Sequence, residues 1–303
     1  MNIEKLIEQL SDSDESERIF AADDLGMSND PAAVDPLAAR LTDETSRAVR
    51  EMILLALRNL QTDAVLDHAA RLLNHDDPFI RNEMAALLQS RGEYAIPWLE
   101  KALTHADPDV RKLALEAAAQ IPGNHAKRFL EGGLSDPDSN LVICAVENLN
   151  AEDVKTFEAR LEAIAIASSS PMLTVACLEA LGKLGDWKGL DAFLHAFSDR
   201  PELQYSLISA VGSAGESRHL SFLKKSGENP TLRLEVVNAL LKLDGRGKIV
   251  ELDSEWLGSI ASWVRGEPPS ALRPDSILLL ERLTRQPAAI ALAAELRAGA
   301  RAK

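Results

Sequence analysis

From Leu99 to Gly123 the chain reads LEKALTHADPDVRKLALEAAAQIPG, and its apolar positions fall into two helical stripes separated by a short polar turn. Leu99, Ala102 and Leu103 mark the face of a first helix; Val110, Ala114, Leu115, Ala118 and Ile121 mark that of a second, at the spacing of an amphipathic helix. Asp107-Pro108-Asp109 stops the first and caps the second, because an aspartate accepts backbone N–H bonds and proline fits a first helical turn. Pro122-Gly123 ends it. A helix pair this small cannot bury its apolar faces alone, so it has to stack on copies of itself.

The copies run through residues 1–250. Helix pairs are predicted near 3–26, 31–60, 64–92, 94–123, 125–150, 154–185, 187–215 and 217–245. Arg50, Arg81 and Arg111 are spaced by 31 and 30 residues, and Gly92, Gly123, Gly185, Gly215 and Gly245 by 31, 62, 30 and 30, so one period of about 30 accounts for both series. The first unit is the most polar, as an end facing water should be. After Gly245 the pattern breaks: an amphipathic helix over 254–266, Pro268-Pro269, a longer helix from about Asp275 to Arg285 and a last one from Pro287 make residues 251–303 a C-terminal cap on one continuous domain. Trp256 and Trp263, seven apart on one face, read as core, with a partner-binding patch as the other reading. No sustained period-2 alternation is present, so the expected fold is an all-α solenoid of about eight helix pairs.

Composition sharpens this picture. Hydrophobic residues are 46% and aromatics only 4%, so the interior is Leu, Ala, Ile and Val. The formal charge of −14 weighs against broad contact with nucleic-acid phosphates or anionic lipid; the basic end (Arg297, Arg301, Lys303) leaves local recruitment to nucleic acid as a third reading. There is no run of 18 apolar residues and no apolar leader at MNIEKLIEQL, which leads to the expectation of a cytoplasmic protein, a monomer with no membrane partner. Cys144 and Cys177 are too few for a disulfide framework and suit a reducing compartment.

The motifs D-P-D-V-R (Asp107 to Arg111), D-D-P-F-I-R (Asp76 to Arg81) and E-A-L-G-K-L-G (Glu179 to Gly185) resemble HEAT repeats, in particular the short bacterial type found in phycobiliprotein lyase subunits. The resemblance covers roughly residues 1–245. It implies antiparallel helix pairs stacked into a right-handed superhelix, with the second helices lining a concave side. Function is expected to be protein binding, a scaffold or adaptor with no cofactor and no chemistry of its own. The alternative is a lyase-like subunit that assists attachment or removal of a bilin.

Catalytic signatures are missing. The iron-binding HEAT-repeat hydroxylases that act on deoxyhypusine carry His-Glu dipeptides, and none of the six histidines here is followed by glutamate; no C-x-x-C, H-E-x-x-H or H-x-x-x-H spacing gives a metal site. There is no G-x-S-x-G elbow and no phosphate-binding glycine loop. HEAT-like alkylpurine DNA glycosylases depend on a basic groove, and this chain is acidic. His75 and His105, 30 residues apart, sit beside helix caps.

Turn aspartates and helix-start arginines are expected to form an ion-pair ladder between neighbouring repeats, carried by Arg50, Asp77, Arg81, Asp107 and Arg111; an anion site on the arginines is the other reading. The ladder lapses at Val142, Thr174 and Gln204. With Arg50, Arg81, Arg111, Val142, Thr174, Gln204 and Arg233 as zero, core positions are −1, +3, +4 and +7, leaving +1, +2 and +5 outward. The +1 series turns apolar at Ile143, Val175, Tyr205 and Leu234, and the +5 series carries Glu116, Glu147 and Glu179. Repeats stack about 10 Å apart, so an apolar ridge beside an acidic row is the expected seat of a partner helix or basic segment, the ridge giving burial and the glutamates register. In the alternative, +1 packs on the flanking helix and the glutamates are solvated.

Overall fold

The computed structural model describes residues 2–249, 251–266, 271–283 and 285–301. Within them the fold is an all-α solenoid, with no strand among the described residues. The chain divides into two compact units, Met1–Asn148 and Leu149–Lys303.

The first unit holds five helix pairs: α1 (Ile3–Gln9) with α2 (Glu15–Met27), α3 (Val34–Asp43) with α4 (Arg47–Asn59), α5 (Asp63–Leu72) with α6 (Pro78–Ser90), α7 (Ile96–Ala102) with α8 (Pro108–Ala119), and α9 (Asn124–Gly133) with α10 (Ser139–Glu147). Second helices lie on second helices, α2 on α4, α6 on α8 and α8 on α10, while α5 packs on both α3 and α7. Local chemistry sets the starts. Asp14, Asp77, Asp107 and Asp138 each accept an amide two residues ahead, and Pro78 and Pro108 occupy first helical positions.

The second unit holds α11 (Ala151–Ala167) with α12 (Pro171–Gly182), α13 (Leu190–Phe197) with α14 (Gln204–Ala214), and α15 (Leu220–Ser226) with α16 (Arg233–Gly245); α17 (Ser254–Arg265), α18 (Leu272–Arg282) and α19 (Pro287–Arg301) follow. Here α14 lies between α12 and α16, and α18 packs on α16 where a ninth second helix would stand. The stacking therefore continues past Gly245, although the sequence pattern does not. The expected long helix over 275–285 begins earlier, at Leu272, and ends at Arg282, because a first helical turn accommodates Pro274. Pro268 and Pro269 lie outside the described residues, as does Lys303. Trp256 and Trp263 are 3% and 6% exposed and meet edge to face, ring centroids 6.1 Å apart, so they are core.

The core register holds throughout. Positions −1, +3, +4 and +7 are buried in every second helix from α4 to α16 except at Ala85 and Leu232, which are half-buried. Position +2 departs from the expectation in the later repeats: Cys144, Ala176, Ser206 and Glu235 are buried, not outward. The reason is side-by-side packing of second helices, which closes both flanks of each helix and buries +6 as well, at Ala56, Leu87, Ala117, Ala180, Ala210 and Ala239.

No helix among the described residues is long and apolar enough to cross a membrane.

Candidate functional site

The ion-pair ladder forms in unit 1 with a partly different set of rungs. Arg50 pairs with Asp77 at 2.5 Å, and Asp77 also caps α6 through its other oxygen. Arg111 holds Asp136 in a two-pronged contact, both bonds 2.8 Å, and its Nη1 donates two more, to the carbonyls of His105 and Ala106. That pairing keeps the Asp136 carboxyl below the usual carboxylate range. Arg81 is different: it donates to the carbonyls of His75 and Asp76, and Asp107 gives its carboxylate to the Asp109 amide as a cap. A rung absent from the sequence reading joins Arg18 to Glu44. Arg18, Arg81 and Arg111 thus satisfy carbonyls left open where their own first helices end, whereas Arg50 bonds only its aspartate among the described residues. Of the three arginines named for an anion site, Arg50 and Arg111 are engaged by aspartates and Arg81 by backbone carbonyls.

Where the arginines lapse in unit 2, shorter donors do part of the same work. Thr174 Oγ1 donates to the carbonyls of Ala165 and Ser170, and Gln204 Nε2 to that of Ser198. Arg246 reaches back across repeats, donating to the carbonyls of Gly185, Gly212 and Gly215. Arg91 does likewise in unit 1, on Leu57, Arg58 and Leu60. Sequence reasoning missed both because their partners lie about 30 residues or more upstream. The recurring interval between them and the repeat ends was the available signal.

The predicted face is distributed over the two units. In unit 2, Val175, Tyr205 and Leu234 stand on the successive second helices α12, α14 and α16; Val175 and Leu234 are half-buried, while Tyr205 is 60% exposed. Glu179 is exposed on α12. Glu235, buried at position +2, and then Glu179 set carboxylates against the Tyr205 hydroxyl and raise its pKa above the ordinary tyrosine value. Of the predicted face in this unit, the Tyr205 ring and the Glu179 carboxylate are exposed, while Glu235, outside that prediction, is buried. The sequence reading placed Glu235 outward and gave it no role.

In unit 1, Ile143 is half-buried on α10 and Glu147 is exposed one turn further along it. Glu116 on α8 is already committed: it accepts from Lys112 Nζ at 2.8 Å, and that bond raises the lysine's pKa. The acidic row therefore has one internally neutralised member. Glu116 also lines a cleft of about 390 Å³ between α6, α8 and α10, whose rim carries four carboxamides, Asn82, Gln89, Gln120 and Asn148. Gln120 Nε2 donates to Asn148 Oδ1 at 3.3 Å, and Leu113 lines the same cleft.

The cysteines are poor nucleophiles in this setting. Burial pushes each thiol up to about 12, with Glu116 adding to the effect at Cys144, so the thiolate form is suppressed. His75 and His105 behave alike: Nδ1 of each accepts the amide of the following capping aspartate, Asp77 or Asp107, at 3.0 Å. No cluster of three or more His, Cys, Asp or Glu among the described residues is placed to hold a metal ion.

Residues 3–89 and 80–150 match the family of HEAT repeats. No curated protein matches the chain. Among solved structures it is similar to one of Kap95p binding to RanGDP, at 11% identity over 92% of this chain and 45% of that one, TM-score 0.57. It is also similar to importin beta, at 12% identity over 93% of this chain and 48% of that one, TM-score 0.54. The chain spans just under half the length of each. A further similarity, at 20% identity over 94% of both chains and a TM-score of 0.32, is to the complex of CpcE and CpcF of phycocyanin lyase from Nostoc sp. PCC7120.

Proposed function

Because this is a HEAT-repeat protein, by its matched repeats over residues 3–150 and by its solenoid fold elsewhere, we propose that it works as a protein-binding scaffold or adaptor without chemistry of its own. Its second helices hold a partner helix or extended segment that carries basic side chains. The observation that carries this reading is Tyr205, exposed at the middle of the second-helix row of unit 2 with the carboxylates of Glu179 and Glu235 beside it. A flat aromatic surface supplies contact area at low entropic cost, and adjacent carboxylates choose a cationic side chain and fix its register. The amide-rimmed cleft of unit 1 supports the same class of ligand, since a carboxamide offers both a donor and an acceptor to a peptide main chain.

Affinity capture from the native cell tests the proposal. A partner retained by the unaltered chain should be lost when Tyr205→Asp and Glu179→Lys are combined, and kept by Ile166→Asp, which alters an equally exposed apolar residue at the end of a first helix (61% exposed). Tyr205 and Glu179 are exposed, so circular dichroism should show the double variant folded. Undiminished capture by the folded double variant would remove the second-helix face from consideration.

A further inference from the structure

On the first-helix side of unit 1, away from the face just discussed, a cavity of about 510 Å³ opens between α5 and α7. Its volume falls within the range of small-molecule pockets. Trp98 forms one wall and is held there twice: its Nε1–H donates to Asp67 Oδ1 at 2.8 Å, and its ring lies tilted against Tyr94 with centroids 5.9 Å apart. Val110 adds apolar lining. The remaining polar lining is dominated by cations and donors, in a protein whose formal charge is −14.

Those cations are uncommitted, which sets them apart from much of the chain's arginine. Arg18, Arg50, Arg58 and Arg111 each hold a carboxylate. Arg71 and Lys101, both exposed on the cavity, have no ion-pair partner among the described residues; the only hydrogen bond of the Arg71 guanidinium is from Nε to the Asp67 carbonyl at 3.4 Å, which leaves the rest of its fork open. His105 also lines the cavity. Its Nδ1 accepts the Asp107 amide, so the imidazole proton sits on Nε2 and that nitrogen is a donor. The one carboxylate of the lining, Asp67, is engaged by the indole.

We propose that this cavity binds a small planar anion: an aromatic ring stacked against Trp98, bearing a phosphate, sulfonate or carboxylate held by Arg71 and Lys101 with His105 donating. Stacking on an indole is tolerant of ring identity, whereas the forked guanidinium and the ammonium demand negative charge. Both features are needed, and the cavity supplies both.

Calorimetric titration of the full chain with adenosine 5′-monophosphate and with 8-anilinonaphthalene-1-sulfonate tests this, with adenosine and inorganic phosphate as the two halves of the ligand. Saturable binding of both aromatic anions is expected, with adenosine and phosphate each weaker by about tenfold or more. Lys101→Gln and Arg71→Gln should each weaken both anions by about tenfold while leaving the melting temperature unchanged, since both side chains are exposed. Ile166→Asp, in the other unit, should leave binding unchanged. The proposal is overturned if neither anion saturates at millimolar concentration, if inorganic phosphate binds as tightly as the nucleotide, or if the two charge-removing variants bind as the unaltered chain does.

Discussion

The carboxylate of Glu44 has no side-chain exposure and is held by Arg18, Arg40 and the amides of Thr45 and Ser46. Burial by itself would raise its pKa; the Ser46 amide and the two arginines outweigh that and bring it down to about 2. The folded value lies below the roughly 4.3 of an unfolded chain, so the stabilisation is complete above that pH and fades as pH falls toward 2. Its size follows from the shift, about 3 kcal/mol. Glu44→Gln should therefore lower stability at pH 7 by roughly that amount, because two partly buried arginines lose their counter-charge, and urea melts should show the gap between variant and parent closing below pH 4. A pH-independent gap would show that packing, not charge, carries the effect. The caps at Asp77 and Asp107 were legible in the sequence because donor and acceptor lie two residues apart. Glu44 was not, since Arg18 stands 26 residues away and nothing local marks a glutamate as buried.

Between elements, the close approach of neighbouring second helices is set by small residues at one register. A Cβ on Gly26 would fall 2.6 Å from the Ala56 backbone, and one on Gly212 would fall 2.7 Å from that of Ala239. Both distances are inside van der Waals contact, so Gly212→Ala should force α14 and α16 apart and cost about 1–3 kcal/mol, visible as a lowered melting temperature in calorimetry. An unchanged melting temperature would mean that the two helices separate freely. The same packing explains where the element reading failed. Helical periodicity identifies the side of a helix that faces its own pair, and it found Ile53, Met84 and Leu207 correctly. It carries no information about lateral neighbours, so +2 was taken for an outward position, whereas Ser206 and Glu235 at that position are buried. The C-terminal helices differ from the repeats in sequence more than in stacking: no aspartate turn precedes α18, yet Leu272, Leu279 and Leu280 are buried, Arg273 at its start donates to the carbonyl of Val264 near the end of α17, and α18 packs on α16.

For the whole molecule, the thirty-residue period and the residues of the core were open to reading because each repeat restates them, and packing residues are what a repeat preserves. A ligand leaves no such trace. The predicted face came through unevenly: Tyr205 and Glu179 are available, Val175, Leu234 and Ile143 are half-buried, and Glu116 is held by Lys112. What separates these outcomes is lateral packing and local ion pairing, both invisible in a single helix's pattern. The chain's formal charge of −14 argues, at this scale, for a basic ligand whose association weakens as salt is raised.

The central claim is that partners are held by the second helices, and site-specific photo-crosslinking tests it most directly. A benzophenone side chain placed at Tyr205 and, separately, at Ile166, both about three-fifths exposed, would be irradiated in the native cell. The account predicts a covalent partner adduct from position 205 and none from position 166. Adducts formed at 166 alone, while the same partner co-purifies with both chains, would contradict it.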